Sequence, residues 1–326
     1  MEKIKMALLG AGHIAATMAE TIKDIPEVEA YAVASRNLEK AQAFAEKNNI
    51  TKAYGSYEEM LADPQVQLVY IATPHSHHFK HASMSLNAGK HVLCEKSFTV
   101  NAQQARELCA LAKEKNLLIT EAIWTRYMPA RAIIDEVIEK GLVGEVTSLT
   151  ADLSYDVMWS ERIVKPELAG GALLDLGVYP INFARMVFGD KMESYTGTAV
   201  FKDGVDVIDS ITMIFEGGKM AVLHSNAQTV SDRKGVINGK TGYIVVENIN
   251  NPESITVYNK DYKEIWRRSL QPLERGYRFE VLSCVKAIRE GKLECPEMPH
   301  EETIKVMEVM DGLRKSWGYE IPLDAK

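Results

Sequence analysis

The stretch Leu9-Gly10-Ala11-Gly12-His13-Ile14-Ala15 decides the reading of the fold. It follows an apolar run, Ile4–Leu9, and leads into a segment of helical composition, Ala15–Lys23. The pattern is G-x-G-x-x-A at a strand-to-helix turn. The first glycine makes the tight turn, and the second lets the backbone approach a pyrophosphate resting on the helix N-terminus. Small Ala15 lets helix and strand pack closely. Gly10, Gly12, His13 and Ile14 are therefore candidate cofactor-binding residues. Working outward, the apolar runs Val28–Ala34, Val66–Ala72, His91–Cys94 and Leu117–Ile119 alternate with helical stretches at Leu38–Lys47, Tyr57–Ala62, Lys80–Ala88 and Ala102–Lys115. Continuous apolar strands alternating with helices predict a parallel sheet covered on both faces.

The end of the second strand tests which nucleotide is bound. Readers of NAD place an acid there, about 20 residues past the glycines, to bond the ribose hydroxyls. This chain has Ala34-Ser35-Arg36-Asn37 instead. Ser35 and Arg36 can bond a 2′-phosphate that an acid would repel, so NADP is the expected cofactor. Thr73-Pro74-His75-Ser76-His77-His78 follows a later strand, on the ligand side of such a sheet, and Thr73, Pro74, His75 and His78 are read as lining the cofactor. Its three histidines lack an accompanying Cys or carboxylate cluster, so no metal is expected. Cys94-Glu95-Lys96-Ser97 ends the next strand, and Glu95 and Lys96 join the cofactor set there.

Composition bounds the rest. The 326 residues suggest about two domains, and 46% hydrophobic with 25% charged residues is ordinary for a globular chain. Thirty-eight basic residues against 45 acidic ones give a net charge of −7, with no basic footprint for nucleic acid. No apolar run reaches about 18 residues, so no membrane span is expected. Cys94, Cys109, Cys284 and Cys295 show neither a disulfide framework nor zinc spacing, which fits a reducing cytoplasm.

The pattern changes near Trp124. A helix over Ala130–Lys140 and a strand over Glu145–Asp152 are predicted, then a mostly apolar segment from Ala172 to Phe188. The β-rich runs Ser194–Phe201, Ser210–Phe215, Met220–Ala227, Tyr243–Glu247 and Ser254–Tyr258 follow, with a hairpin turn at Glu216-Gly217-Gly218-Lys219. Helices at Tyr277–Glu290 and His300–Trp317 close the chain. The expected class is α/β: an N-terminal Rossmann dinucleotide-binding domain over residues 1–121, and an α+β domain over 122–326 with a large, mainly antiparallel open sheet. Asp175, Tyr179 and Asn182 stand at i, i+4, i+7 spacing among apolar neighbours. Such a stripe either satisfies itself with internal hydrogen bonds or faces a cleft. Gly177 and Pro180 predict a bend or an early boundary there. Trp124 and Arg126 are read as touching cofactor or packing a domain junction.

Together, Gly10-Ala11-Gly12, Thr73-Pro74-His75-Ser76-His77-His78, Cys94-Glu95-Lys96 and Gly170-Gly171-Ala172-Leu173-Leu174-Asp175-Leu176-Gly177-Val178-Tyr179 resemble the glucose–fructose oxidoreductase / inositol dehydrogenase family. Glu121-Ala122-Ile123-Trp124-Thr125-Arg126-Tyr127-Met128-Pro129 is similar to its dimeric dihydrodiol dehydrogenase branch. The resemblance implies an NADP-dependent oxidoreductase for sugars, polyols or cyclic diols. It also implies an active-site lysine at Lys96, and an acid/base tyrosine at Tyr179 beside Asp175. Ser97 stands where the family usually has Pro. The family often dimerises through the open sheet, so a homodimer is expected. In the expected mechanism Tyr179 exchanges the hydroxyl proton, Lys96 favours its phenolate, and Asp175 orients Lys96 or a substrate hydroxyl. A non-catalytic NADP(H)-binding sensor is the alternative, though it would need neither Lys96 nor Tyr179. A third option is a tightly held cofactor serving two alternating substrates.

Overall fold

The computed structural model describes residues 2–270 and 276–322. The chain divides into two units, Met1–Tyr127 with Arg275–Met307, and Met128–Glu274 with Glu308–Lys326. The sequence pattern predicts a single division near residue 121. Instead the chain returns: residues from the C-terminal part belong to the first unit.

The first unit runs β1 (Ile4–Leu9), α1 (His13–Ile22), β2 (Val28–Ala34), α2 (Leu38–Asn48), β3 (Lys52–Tyr54), α3 (Tyr57–Ala62), β4 (Leu68–Ile71), α4 (His78–Asn87), β5 (His91–Glu95), α5 (Ala102–Lys115) and β6 (Ile119–Ala122). All pairings are parallel, in the order β3-β2-β1-β4-β5-β6. This is the doubly wound order whose strand sequence reverses between β1 and β4, with ligands bound beyond the carboxyl ends. Local signals explain the helices. Asn37 and Asn101 accept amide hydrogen bonds at the starts of α2 and α5, and Asn49 and Asn116 end them in the left-handed region at φ 57 and 54. Every residue of β4 and β6 is buried, as covered parallel strands require.

The second unit begins with α6 (Pro129–Glu139), whose first residue is a proline that needs no amide partner there. β7 (Val146–Ser154), the short α7 (Glu161–Val164) and α8 (Val178–Phe188) follow, then β8 (Met192–Lys202), β9 (Val205–Phe215), β10 (Lys219–Asn226), β11 (Gly235–Gly239), β12 (Gly242–Glu247), β13 (Ser254–Asn259) and β14 (Glu264–Ser269). They form one eight-stranded sheet, antiparallel except where β10 pairs with β7. β9 and β12 alternate buried with partly exposed residues, the mark of a sheet with one open face. The expected hairpin joins β9 to β10 around Gly217, at φ 78. α9 (Arg278–Arg289) and α10 (His300–Ser316) complete the described chain, and the division between units falls within α10. No helix among the described residues is long and apolar enough to cross a membrane.

Candidate active site

The glycine loop sits where the sequence places it. Gly10 has φ 111, and a Cβ there would lie 2.9 Å from the Ala72 carbonyl oxygen at the end of β4. The turns after β1 and β4 therefore touch, and only glycine fits. Gly12 precedes α1 without any side-chain cap, and a Cβ on it would meet nothing within 4 Å. His13 is exposed and Ile14 half-exposed beside it. Uncapped helix N–H groups beside open space are what a pyrophosphate needs. The residues present thus fit a dinucleotide.

Ser35 is buried at the end of β2, its amide bonded to the Tyr54 carbonyl, while Arg36 is exposed. Arg36 lies close enough to His77 to help push its pKa down, behind the larger effect of burial. Ser35-Arg36 and the histidine segment therefore converge at the carboxyl end of the sheet. Thr73 and Pro74 stay partly exposed there, and Thr73 Oγ1 meets His81 Nδ1 at 3.0 Å.

His78 has a different task from the expected cofactor contact. It is fully buried, with Nδ1 2.8 Å from the Ser97 carbonyl and Nε2 2.7 Å from the Thr73 carbonyl. Burial lowers its pKa to about 4, against two carbonyls that favour the protonated ring. It staples the Thr73 turn to the Lys96-Ser97 segment, whose peptide bond is cis. His75 is also buried, its ring edge-on to His78 at 5.6 Å. Among the described residues no group of three or more His, Cys, Asp or Glu side chains could hold a metal.

Lys96 is half-buried, and its amide donates to Glu95 Oε2 at 3.2 Å. Glu95 is buried and accepts a hydrogen bond from the Tyr70 hydroxyl. Arg126, on the turn after β6, makes a 2.5 Å ion pair with Glu302 of α10, both side chains largely buried, which is the packing side of the two expected roles. Trp124 stacks on Tyr277, centroids 4.6 Å apart and 12° from parallel, and its indole N–H has no hydrogen-bond partner among the described residues.

In the second unit Asp175 lies on a π-helical turn, Leu173–Gly177, that runs directly into α8. Pro180, lacking an N–H, falls in the first turn of α8, and in place of the expected bend or early boundary the chain widens into a π-helical turn ahead of it. Asp175 is 2% exposed and bonds Arg162 Nη1 at 2.5 Å through Oδ1. Arg162 remains about half-exposed on α7. Tyr179 is 8% exposed. Asn182 turns back to donate to the Val178 carbonyl at 2.8 Å, one of the internal bonds the sequence left open.

Residues 4–122 match the oxidoreductase family with an NAD-binding Rossmann fold, and residues 132–245 match the GFO/IDH/MocA C-terminal domain. The chain belongs to the GFO/IDH/MocA oxidoreductase family. Among its relatives, trans-1,2-dihydrobenzene-1,2-diol dehydrogenase of Mus musculus is 32% identical over 99% of each chain. D-xylose 1-dehydrogenase (NADP(+)) of Hypocrea jecorina is 34% identical over 98% of this chain and 93% of its own. A 3-ketoreductase from Actinomadura kijaniata, solved with NADP and TDP-benzene, has the same fold: TM-score 0.88, 24% identity, covering 96% of this chain and 98% of that one. So does an aldose-aldose oxidoreductase from Caulobacter crescentus, at TM-score 0.87 and 19% identity, covering 97% of both.

Among the buried acids that the sequence does not single out are Glu121 and Glu280. Glu121 on β6 is 1% exposed, and burial pushes its pKa up to about 7. Glu280 on α9 is wholly buried, and among the described residues neither carboxyl oxygen has a hydrogen-bond partner. Burial first, and then the nearby Glu95 carboxyl, push its pKa well up. No sequence signal marks Glu280, since an acid in the first turn of a helix usually just complements the dipole. A carboxyl neutral when folded but ionised when unfolded must take up a proton on folding at neutral pH, which costs stability increasingly above its unfolded pKa of about 4.3. Glu280→Gln should therefore gain stability relative to the parent protein as pH rises from about 4 to neutrality, and lose that gain as pH falls. Paired Tm measurements across this range check it; a pH-independent Tm difference would contradict a neutral Glu280.

Proposed function

We propose that the protein is an NADP-dependent dehydrogenase or reductase acting on the CH–OH group, or corresponding carbonyl, of a carbohydrate-like or cyclic diol substrate. The observation that carries this reading is the full-length similarity to relatives named for dehydrogenation of a vicinal diol and of an aldose. Gly10, Gly12, His13 and Ile14 would hold the pyrophosphate on the N-terminus of α1, and Ser35 and Arg36 the 2′-phosphate. A bound nicotinamide supplies the hydride acceptor or donor. The chain's own residues then manage the proton. Tyr179 takes it from the substrate hydroxyl in oxidation and returns it in reduction. A phenol with pKa about 10 is a poor base near neutrality, and the Lys96 ammonium would favour its phenolate. Asp175 holds the Arg162 guanidinium, which the reading assigns to a substrate oxygen.

NADP preference has a direct test. An exposed arginine contacting a phosphate contributes about one tenfold step in affinity, since charge-assisted bonds are worth about 1.5–3 kcal/mol before solvent screening. Arg36→Ala should raise KM for NADP about tenfold and leave KM for NAD unchanged. Equal effects on both cofactors would contradict the assignment.

The proposal includes a homodimer through the open face of the eight-stranded sheet, where Met220 and Val222 are 42% and 43% exposed. Light scattering coupled to size-exclusion chromatography reads the mass. A reducing cytoplasm suits the four buried free cysteines.

A further inference from the structure

We propose that Asp206 and Asp209 share a single proton and form the mount on which the π-helical turn Leu173–Gly177 sits, which makes both of them positioning residues for Asp175 and Tyr179. Placement of the turn concerns the second unit alone; its consequence for turnover rests on the Tyr179 reading above.

Three positions apart on a strand, Asp206 and Asp209 should point to opposite faces. They do not, because the pairing of β8 with β9 slips. Val200 faces Ile208 while Phe201 faces Asp206, which leaves Val207 as an extra residue on β9. Such a bulge re-aims the side chains beyond it. Both acids therefore turn inward, Asp206 at 2% exposure and Asp209 at 0%.

Their partners divide unequally. Asp206 Oδ2 accepts the Leu173 amide at 2.6 Å, and the carboxyl also accepts the Ala172 amide, so it caps the start of the turn. Asp209 Oδ2 accepts the Ser225 hydroxyl at 2.9 Å, whereas Oδ1 meets no donor among the described residues. The two carboxyls lie within hydrogen-bonding reach of each other. Two ionised carboxylates in contact in a dry interior repel strongly, while one proton between them removes the repulsion and satisfies the orphan oxygen. Asp206 has the Leu173 and Ala172 amides, and Arg314 of α10 attracts it, so it keeps the charge. Asp209 has only Ser225 of β10 and the Asp206 carboxyl, so it keeps the proton. Burial, and then the Asp206 charge, push Asp209 well above the carboxylate range, whereas burial opposed by the backbone amides and Arg314 takes Asp206 only to about 6.

The turn rests directly on this pair. A Cβ at Gly171, where φ is 113, would lie 2.2 Å from Asp206 Oδ1. A Cβ at Gly177 would lie 3.2 Å from Ser225 Oγ and 3.7 Å from Asp209 Oδ2. Glycine at these two positions lets the backbone that carries Asp175 and leads to Tyr179 settle on the acids.

The test compares Asp209→Asn, which keeps a donor toward Asp206, with Asp209→Ala, which keeps none. Infrared difference spectra of the parent protein minus Asp209→Asn at neutral pH should show the carbonyl stretch of a protonated carboxylic acid. Hydrogen exchange of the peptide spanning 172–179 should accelerate about tenfold or more in Asp209→Ala, since one buried bond of about 1.4 kcal/mol is a factor of ten. Asp209→Asn should restore parental protection. In Asp209→Ala kcat should fall while KM for NADP holds. Absence of the acid band, or unchanged exchange in a folded Asp209→Ala, overturns the proposal. If Asp209→Ala does not fold, the infrared comparison decides alone. Lost protection with normal kcat upholds the mount and counts against Tyr179 instead.

Discussion

Tyr179→Phe should lower kcat by about 10²–10⁴-fold, the contribution of a positioned acid or base. The substitution removes one hydroxyl from a side chain that is 8% exposed and packed into the apolar first turn of α8. Its ring volume stays, so the helix and the π-helical turn before it should persist. The loops proposed to hold the dinucleotide, Gly10–Ile14 and Ser35–Arg36, belong to the first unit, and on that proposal KM for NADP should change little. The loss should appear equally in kcat and in kcat/KM for the second substrate, as expected when an interaction matters only in the transition state. Steady-state kinetics in both directions, with Tm as a control for folding, make the comparison. A variant retaining near-parental kcat would remove Tyr179 from the proton step.

Lys96→Met should cost about as much at neutral pH, for a different reason. Methionine keeps the apolar stem of Lys96 but not the ammonium. If Lys96 acts as proposed, its loss removes what would favour the Tyr179 phenolate, and an opposite charge close to an acid is worth about 1–3 pH units. The sign follows directly: the group must be ionised to accept a proton, so the acidic limb of the oxidation profile should move up by that amount. Activity should recover partly as pH rises, which a merely misfolded variant would not do. The kcat/KM profile of Lys96→Met against pH, beside that of the parent, reads the displacement. A profile that drops without moving would make Lys96 a structural or cofactor-binding residue.

The first unit was readable because its signals are local. Gly10 and Gly12 stand at fixed spacing after an unbroken apolar strand, and Asn37 and Asn101 cap helices within three residues. The hairpin at Gly217 was equally local. Short or polar strands were missed: β3 has three residues at the sheet edge, β11 is flanked by glycines, and β14 exposes charged side chains. β6 was placed two residues early because Thr120 and Glu121 look polar, although both are buried. Long-range pairing was invisible altogether. Nothing in the sequence announces that Arg126 finds Glu302, that Arg162 finds Asp175, or that α9 returns to the first unit with Glu280 inside it. The bulge at Val207 is the clearest case, since it depends on register with another strand and reverses which face Asp206 occupies.

Turnover itself is the most direct test of the proposed activity. Purified protein should be given a panel of aldoses, polyols, cyclic trans-diols and dicarbonyls, each with NADP(H) and with NAD(H), and nicotinamide absorbance followed. Turnover of at least one CH–OH or carbonyl substrate, with kcat/KM higher for the phosphorylated cofactor, is the predicted result. Tight NADP(H) binding with no turnover across the panel would contradict it and identify a nucleotide sensor.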